Sequence, residues 1–475
     1  MYEIIAKKLS RPIEEDWKPL DHSEVPETTR EDLEGRISRL WAMEQAKQYS
    51  CIIIYADREH FSNLNYFTSF DMRFEEALLV LYRDGRKPVI VLGNESMAYS
   101  RMIPIDVDRR LYQSFSLMGQ PNDSRSLLLG DLLASLEIPT LGKVGLIGWK
   151  HYDLKLHPGC GPVTDVPHYI AQALISALGE DRLENATDLL SDCVYGLKHH
   201  LSAREIVQFE YLGAKVSRSV YRCIRDLEPG MSEMEASALL KLDGEPLATF
   251  PNVNFGDAHT AYGLASPAYG KRLALGDFIG VGYGKRGANI HKSGIYARSA
   301  ADIPADREGY IEKMAKPYFA SVVRWYEMMR IGMRSGDVWQ MIEDCIGFEK
   351  FGLGLNPGHL IHTDEWTHSP FCSGSEIELA SGMAIQCDFT VTFSNPHMTC
   401  HVEDGLVLAD ESLRAEIKAL SPACWARIEW RRRFMIDTLN IDLPDEVLPM
   451  SDFPAVFFPF MADTMTVLAK AQRGI

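Results

Sequence analysis

Three histidines crowd one segment, "NPGHLIHTDEWTH": His359, His362 and His368. Two acids follow, Asp388 in "GMAIQCDF" and Glu403 in "HVEDG". A His with two carboxylates around it can have its members' pKa values pushed apart, so that one acts as acid and another as base near neutral pH. The acids could equally orient a cationic or amide substrate. His362 and His368 could serve as acid or base, or join His359 in holding one transition metal through imidazole nitrogens. The competing reading is a set of structural hydrogen bonds. Against it, inward-facing acids without a counter-ion are costly and tend not to persist unless something binds them.

A second stretch, "GDFIGVGYGKRGANIHKSGIYA", runs from Gly276 to Ala297 and has no carboxylate between Asp277 and Asp302. It carries Lys285, Arg286, His291 and Lys292 instead. Lys285, Arg286 and Gly287 read as an exposed turn. His291 and Tyr283 are the inward candidates, and Tyr283 and Trp366 could stack on a planar or quaternary cation. Cys387 adjoins Asp388, but strand alternation sends neighbours to opposite faces, so the thiol is assigned to packing.

The elements that must position these residues can be read from periodicity. Residues 1–29 read as an irregular lead-in. An amphipathic helix over "REDLEGRISRLWAMEQAKQY" is followed by short apolar runs, "CIIIYA", "ALLVLY", "PVIVLG" and "KVGLIGW", separated by helical segments. This predicts an α/β domain over 30–195. The second domain, 196–411, opens with two S-x-x-E capping boxes, Ser202 with Glu205 and Ser232 with Glu235, around an "EPGM" break, which predicts helix, turn, helix. Strands are expected at "FIGVGYG", "MAIQCDFTVTF" and "GLVLAD", with two helices between the first and the others. Residues 412–475 read as a helical and apolar extension, too apolar to hang free.

Length and composition agree with two domains. The chain has 475 residues, 46% of them hydrophobic and 24% charged, with a formal charge of −17. Such a surface repels nucleic acid and anionic membranes, so neither is expected as a partner. No long apolar run and no signal-peptide pattern is seen, so a cytoplasmic protein is expected. The nine cysteines (51, 160, 193, 223, 345, 372, 387, 400 and 424) are scattered without a C-x-x-C pair, so buried thiols are expected rather than disulfides or a zinc ribbon.

The order and spacing of "HFSNLNYFTSF", "LSAREIVQFEYLGAKVS", "EPGMSEMEA", "LALGDF", "NPGHLIH", "ELASGMAIQCDFTV" and "HVEDGLVL" resemble the creatinase, prolidase and methionine aminopeptidase superfamily over roughly residues 30–410. The resemblance implies a creatinase-like α/β N-terminal domain. It also implies an α+β pita-bread domain with a curved antiparallel sheet. Metal-dependent members hold two divalent ions with two Asp on the first hairpin, a His and two acids. By motif, the Asp positions fall here on Gly282 and Ser293, or on Tyr283 and Gly294 after a one-residue slip. His359 and Glu403 match, Asp388 stands where Glu is usual, and the family's second His falls on Trp366.

This pattern is similar to the metal-free creatinase branch, in which the two acids hold a cationic substrate and a His before the first hairpin moves the proton. His259 is the only histidine in the corresponding stretch, eighteen residues before Asp277, and Ala265 or Ser266 fits the spacing better. The expectation is therefore a homodimeric hydrolase that cleaves a C–N bond in a small nitrogen compound without a dinuclear centre. Its expected catalytic residues are His359, His362 and His368. Substrate is expected at Asp388, Glu403, Tyr283, His291, Trp366 and His259, with no resident cofactor unless one transition metal sits at His359, Asp388 and Glu403. The alternatives are an Xaa-Pro aminopeptidase-like metallohydrolase with an atypical site, a lyase acting on a small zwitterion, and a non-catalytic binding protein.

Overall fold

The computed structural model describes residues 2–120, 126–157, 163–261 and 263–472. Two compact units emerge, one of Glu27–Lys198 and one of Met1–Pro26 with His199–Ile475. Cys160 lies outside the described residues, and the other eight cysteines are free thiols.

The chain begins with β1 (Ile4–Lys8), which belongs to the larger unit. The unit 27–198 is built on β2 (Tyr49–Ala56), β3 (Ala77–Tyr82), β4 (Val89–Leu92), β5 (Asp108–Leu111), β6 (Lys143–Ile147) and β7 (Leu183–Asn185), in the order β5-β4-β3-β2-β6-β7. Parallel and antiparallel pairs mix. The inner strands β2, β3, β4 and β6 are largely apolar without alternation because both faces are covered, while the edge strands β5 and β7 are polar. Ile52, Ile54 and Leu79 pack on one side with Leu33 and Leu40 of the helix Arg30–Ala42. Ile53, Val80 and Val144 pack on the other with Ile170 and Leu174 of the helix His168–Leu178.

In the larger unit both capping boxes form, with Ser202 and Ser232 each accepting from the backbone N–H of Glu205 and Glu235. The first opens the 24-residue helix Ala203–Asp226, but the second opens only Glu233–Ser237, five residues long, so the expected helix pair is one long helix and one short turn of helix. Then come β8 (Leu247–Phe255), β9 (Phe278–Lys285) and β10 (Ala288–Ile295). The helices Lys316–Met328 and Ser335–Cys345 precede β11 (His359–Leu360), β12 (Ala384–Gln386), β13 (Val391–Ser394), β14 (His397–Glu403) and β15 (Gly405–Leu408). The helices Glu411–Leu420 and Pro422–Arg433, then β16 (Val447–Pro449) and β17 (Thr466–Lys470), complete the chain. Two antiparallel sheets result, β13-β14-β10-β9-β8 and β11-β12-β15-β16.

The structure departs from the sequence reading in three places. "MAIQCDFTVTF" is not one strand: β12 lies in one sheet and β13 in the other, and Asp388 sits in the crossover. The lead-in is not wholly irregular, because β1 pairs antiparallel with β17. The C-terminal segment is part of the body, since β16 extends the four-stranded sheet beside β15, and Phe453, Phe457 and Phe458 are buried.

Candidate active site

The hairpin of β9 and β10 pairs Gly282 with His291 and Gly280 with Ser293, while β14 pairs Glu403 with His291 and His401 with Ser293. Because side chains alternate along a strand, one face of this sheet carries Gly280, Gly282 and Gly284 on β9, Asn289, His291 and Ser293 on β10, and His401 and Glu403 on β14. The three glycines leave room for the polar side chains opposite. A Cβ on Gly282 would stand 2.6 Å from His291 Cδ2 and 2.6 Å from the Ile290 carbonyl oxygen, and one on Gly284 would stand 2.6 Å from Asn289 Oδ1.

Hydrogen bonds knit this face. His291 Nδ1 and His401 Nδ1 are 2.8 Å apart, and His401 Nε2 lies 2.7 Å from Asp388 Oδ1. Asn289 Nδ2 donates to Glu403 Oε1 at 2.6 Å, and Gln386 Nε2 donates to the Asn289 carbonyl at 2.9 Å, which ties β12 to β10 across the two sheets. His291 Nε2 and Ser293 Oγ are buried without a partner among the described residues.

His359 enters from β11. The loop after it folds back through Thr367 N–H and Thr367 Oγ1, both donating to the Leu360 carbonyl, and through Leu360 N–H donating to the His368 carbonyl. This return lays Trp366 flat on the imidazole, with ring centroids 4.2 Å apart and planes 15° from parallel. His359 Nε2 lies 3.3 Å from Glu365 Oε1 and 3.5 Å from Asp388 Oδ2, hydrogen-bonded to neither. His359, Asp388 and Glu403 each bring one donor atom to within 4.8 Å of the others.

Burial sets the protonation states. It lowers His359 and, with the neighbouring His401, takes His291 down to about 3, so both imidazoles are neutral. Burial also raises Glu403 well above the usual range, helped by Asp388 and Glu365, and with Asp388 it pushes Glu365 up to about 8. Burial acts on Asp388 in the same direction, but the hydrogen bond from His401 and the surrounding imidazoles outweigh it and leave this carboxyl below its ordinary value. One firm carboxylate therefore sits beside two acids that hold their protons.

Of the residues singled out from sequence, the structure brings His359, Asp388, Glu403, His291 and Trp366 together. It does not bring in the others. His362 faces the long helix, with Nε2 3.6 Å from Glu205 Oε1 and its ring on the edge of Phe209. His368 is exposed and joins the site region only through its backbone. Tyr283 pairs with Ile290 on the opposite face of the hairpin and is buried near Ser219 and Asp243. His259 is hydrogen-bonded by Nδ1 to the buried Glu233 at 2.7 Å. Lys285 is no exposed turn residue; it is buried and paired with Asp243 and Glu245. Lys292 is paired with buried Asp404, not with the site acids, and Cys387 lies on that side.

Sequence reasoning passed over His401, Asn289 and Glu365. His401 and Asn289 each stand two residues before a candidate on the same strand, which is the signal that would have found them.

A pair of metal ions does not fit this donor set. The hairpin presents no carboxylate, and the place of a side chain at Gly282 is filled by the His291 ring. A single ion fits better, at His359 Nε2, Asp388 and Glu403.

No protein-family model and no curated protein sequence matches the chain. Solved structures do. The Xaa-Pro dipeptidase from Bacillus anthracis has a TM-score of 0.59 at 14% identity, covering 80% of this chain and 96% of that one. The prolidase from Pyrococcus horikoshii OT3 has 0.59 at 14%, covering 79% and 95%. A His350Ala form of Escherichia coli aminopeptidase P has 0.55 at 15%, covering 84% and 99%. At such identity the likeness is one of fold. The chain has the pita-bread fold that these Xaa-Pro dipeptidase, prolidase and aminopeptidase P structures share.

Proposed function

We propose that the protein is a hydrolase of the creatinase type, a homodimer that cleaves a C–N bond in a small nitrogen compound without a dinuclear metal centre. The observation that carries this reading is the convergence of His359, Asp388 and Glu403 within 4.8 Å beside a hairpin that supplies no carboxylate. The charged free oxygen of Asp388 binds the cationic part of the substrate, and the neutral Glu403 beside it accepts a hydrogen bond from the same group, which orients the scissile bond. His359 is neutral with an unpartnered Nε2, so it accepts a proton from the attacking water and returns it to the departing nitrogen. Trp366 holds the imidazole plane and shields one of its faces from water. If one divalent ion were bound by His359, Asp388 and Glu403, it would supply Lewis acidity that polarises the bond to the carbon being attacked.

The experiment is a binding and turnover screen over guanidino, ureido, betaine and Xaa-Pro compounds, with metal content measured on the same preparation. Turnover of at least one guanidino or ureido compound is expected, lost by a hundredfold or more in Asp388→Ala and Glu403→Ala. If both variants bind and turn over like the parent, the site is wrongly placed. Turnover confined to Xaa-Pro compounds would favour the peptidase alternative that the neighbours' names suggest.

A further inference from the structure

The glycines of β9 and the two imidazoles beside them bear on how many cations the site can take. At Gly282 a side chain is excluded by the His291 ring and by the backbone carbonyl of Ile290. At Gly280 a Cβ would stand 3.2 Å from both Cε1 and Nε2 of the same ring, so the imidazole lies along the strand over both glycines. Ser293, the other hairpin position, offers only a buried hydroxyl.

His401 Nε2–H donates to Asp388 Oδ1, and His401 Nδ1 shares a hydrogen bond with His291 Nδ1, so the two rings are tied to each other and to one oxygen of Asp388. His291 Nε2, on a residue only 8% exposed, has no partner among the described residues. Each acid of the cluster has one oxygen committed: Asp388 Oδ1 to His401, and Glu403 Oε1 to Asn289. Among the described residues the other oxygen of each has no hydrogen bond. Among the converging donors, His359 Nε2, Asp388 Oδ2 and Glu403 Oε2 remain for an occupant; His291 Nε2 is also unpartnered but lies over Gly280, outside that group. A bridged ion pair needs carboxylates that can give both oxygens, plus anionic ligands from the hairpin, and this site has neither.

We propose that the His291–His401 pair occupies the place of the hairpin carboxylates and of one ion, holding Asp388 by a single oxygen so that the site closes on one cation. That cation is the singly charged nitrogen group of the substrate, held by the free oxygens of Asp388 and Glu403, and a divalent ion competes with it for those oxygens. His291 and His401 are positioning residues in this arrangement. The inference rests on the cluster described under the proposed function, but not on its being a hydrolase.

The test titrates metal-free, full-length protein with Co2+ and with methylguanidine, singly and together. At most one Co2+ per chain is expected, and saturating Co2+ should raise the apparent Kd of methylguanidine at least tenfold. His401→Ala should weaken methylguanidine binding about tenfold, and His401→Gln, which keeps a donor to Asp388, should restore most of it. Gly282→Asp with His291→Ala and Ser293→Asp should acquire a second Co2+. Two Co2+ per unmodified chain, simultaneous binding of both probes, or binding of neither would overturn the proposal, even if the triple variant does not fold. Turnover by a two-ion protein would sink this inference and leave the hydrolase reading standing. One-cation binding with no turnover across the screen would do the reverse.

Discussion

Glu365 is partly open to solvent, with its side chain 24% exposed while that of His359 is fully covered. Burial and the charge of Asp388 push its carboxyl up to about 8, so the folded protein keeps a proton that the unfolded chain has already released. The group's contribution to stability is therefore fully present below the unfolded value of about pH 4.5, and it is lost as pH rises through the folded value near pH 8. Glu365→Gln cannot ionise. It should melt with the parent near pH ~4.5 and several degrees above it near pH ~8.5, a difference on the order of 1–3 kcal/mol after allowance for solvent screening. Melting curves that stay parallel across this range would show that Glu365 is an ordinary exposed acid. His359 and His291 act in the opposite sense, since burial lowers them and their contribution is lost as pH falls below about 6.5.

At the scale of the element, the alternation of glycines along β9 gives the polar face its depth. Gly282→Ala places a methyl group against the Ile290 carbonyl oxygen, which no side-chain rotation relieves, and against His291. Overpacking of this kind costs about 1–3 kcal/mol. A Cβ at Gly244 would meet nothing within 4 Å, so Gly244→Ala is the matched control. Thermal melts should show a drop of several degrees for the first and almost none for the second; equal melts would mean that the hairpin has slack. The same element shows what could be read from sequence. The strand-turn-strand pattern and the lack of carboxylates were plain in "GDFIGVGYGKRGANIHKSGIYA", because backbone patterning and charge are local properties. Side-chain destination was not local. Tyr283 and His291 looked equally inward until the register paired Gly282 with His291 and sent Tyr283 to the other face. Asp388 was identified from its motif, but its position in a crossover between sheets depends on β12 and β13 finding different partners. Lys285 looked like a turn cation because its acidic partners, Asp243 and Glu245, are some forty residues earlier in the chain.

At the scale of the whole molecule, the two units are put together differently. The unit 27–198 is one continuous stretch with an apolar cluster on each face of its sheet, so all of its core lies within its own sequence. The other unit takes residues from both ends of the chain. Its first 26 residues give β1 to β17, the Trp17 indole N–H to the Asp452 carbonyl at 2.8 Å, and Glu14 to Arg225 at 2.7 Å. Asp452 is itself buried among Arg218 and Arg431, and removing one partner of such a buried pair costs about 3–5 kcal/mol. A fragment of residues 27–198 should therefore show a cooperative thermal transition by circular dichroism. A fragment of 199–475 should melt well below the corresponding transition of the full chain, or fail to remain soluble, because β17 loses its edge partner and Tyr221 its contact with Trp17. Co-expression with residues 1–26 should recover part of the loss. If 199–475 alone melted like the full chain, the N-terminal segment would be a passive tail and the division of the molecule would follow sequence order.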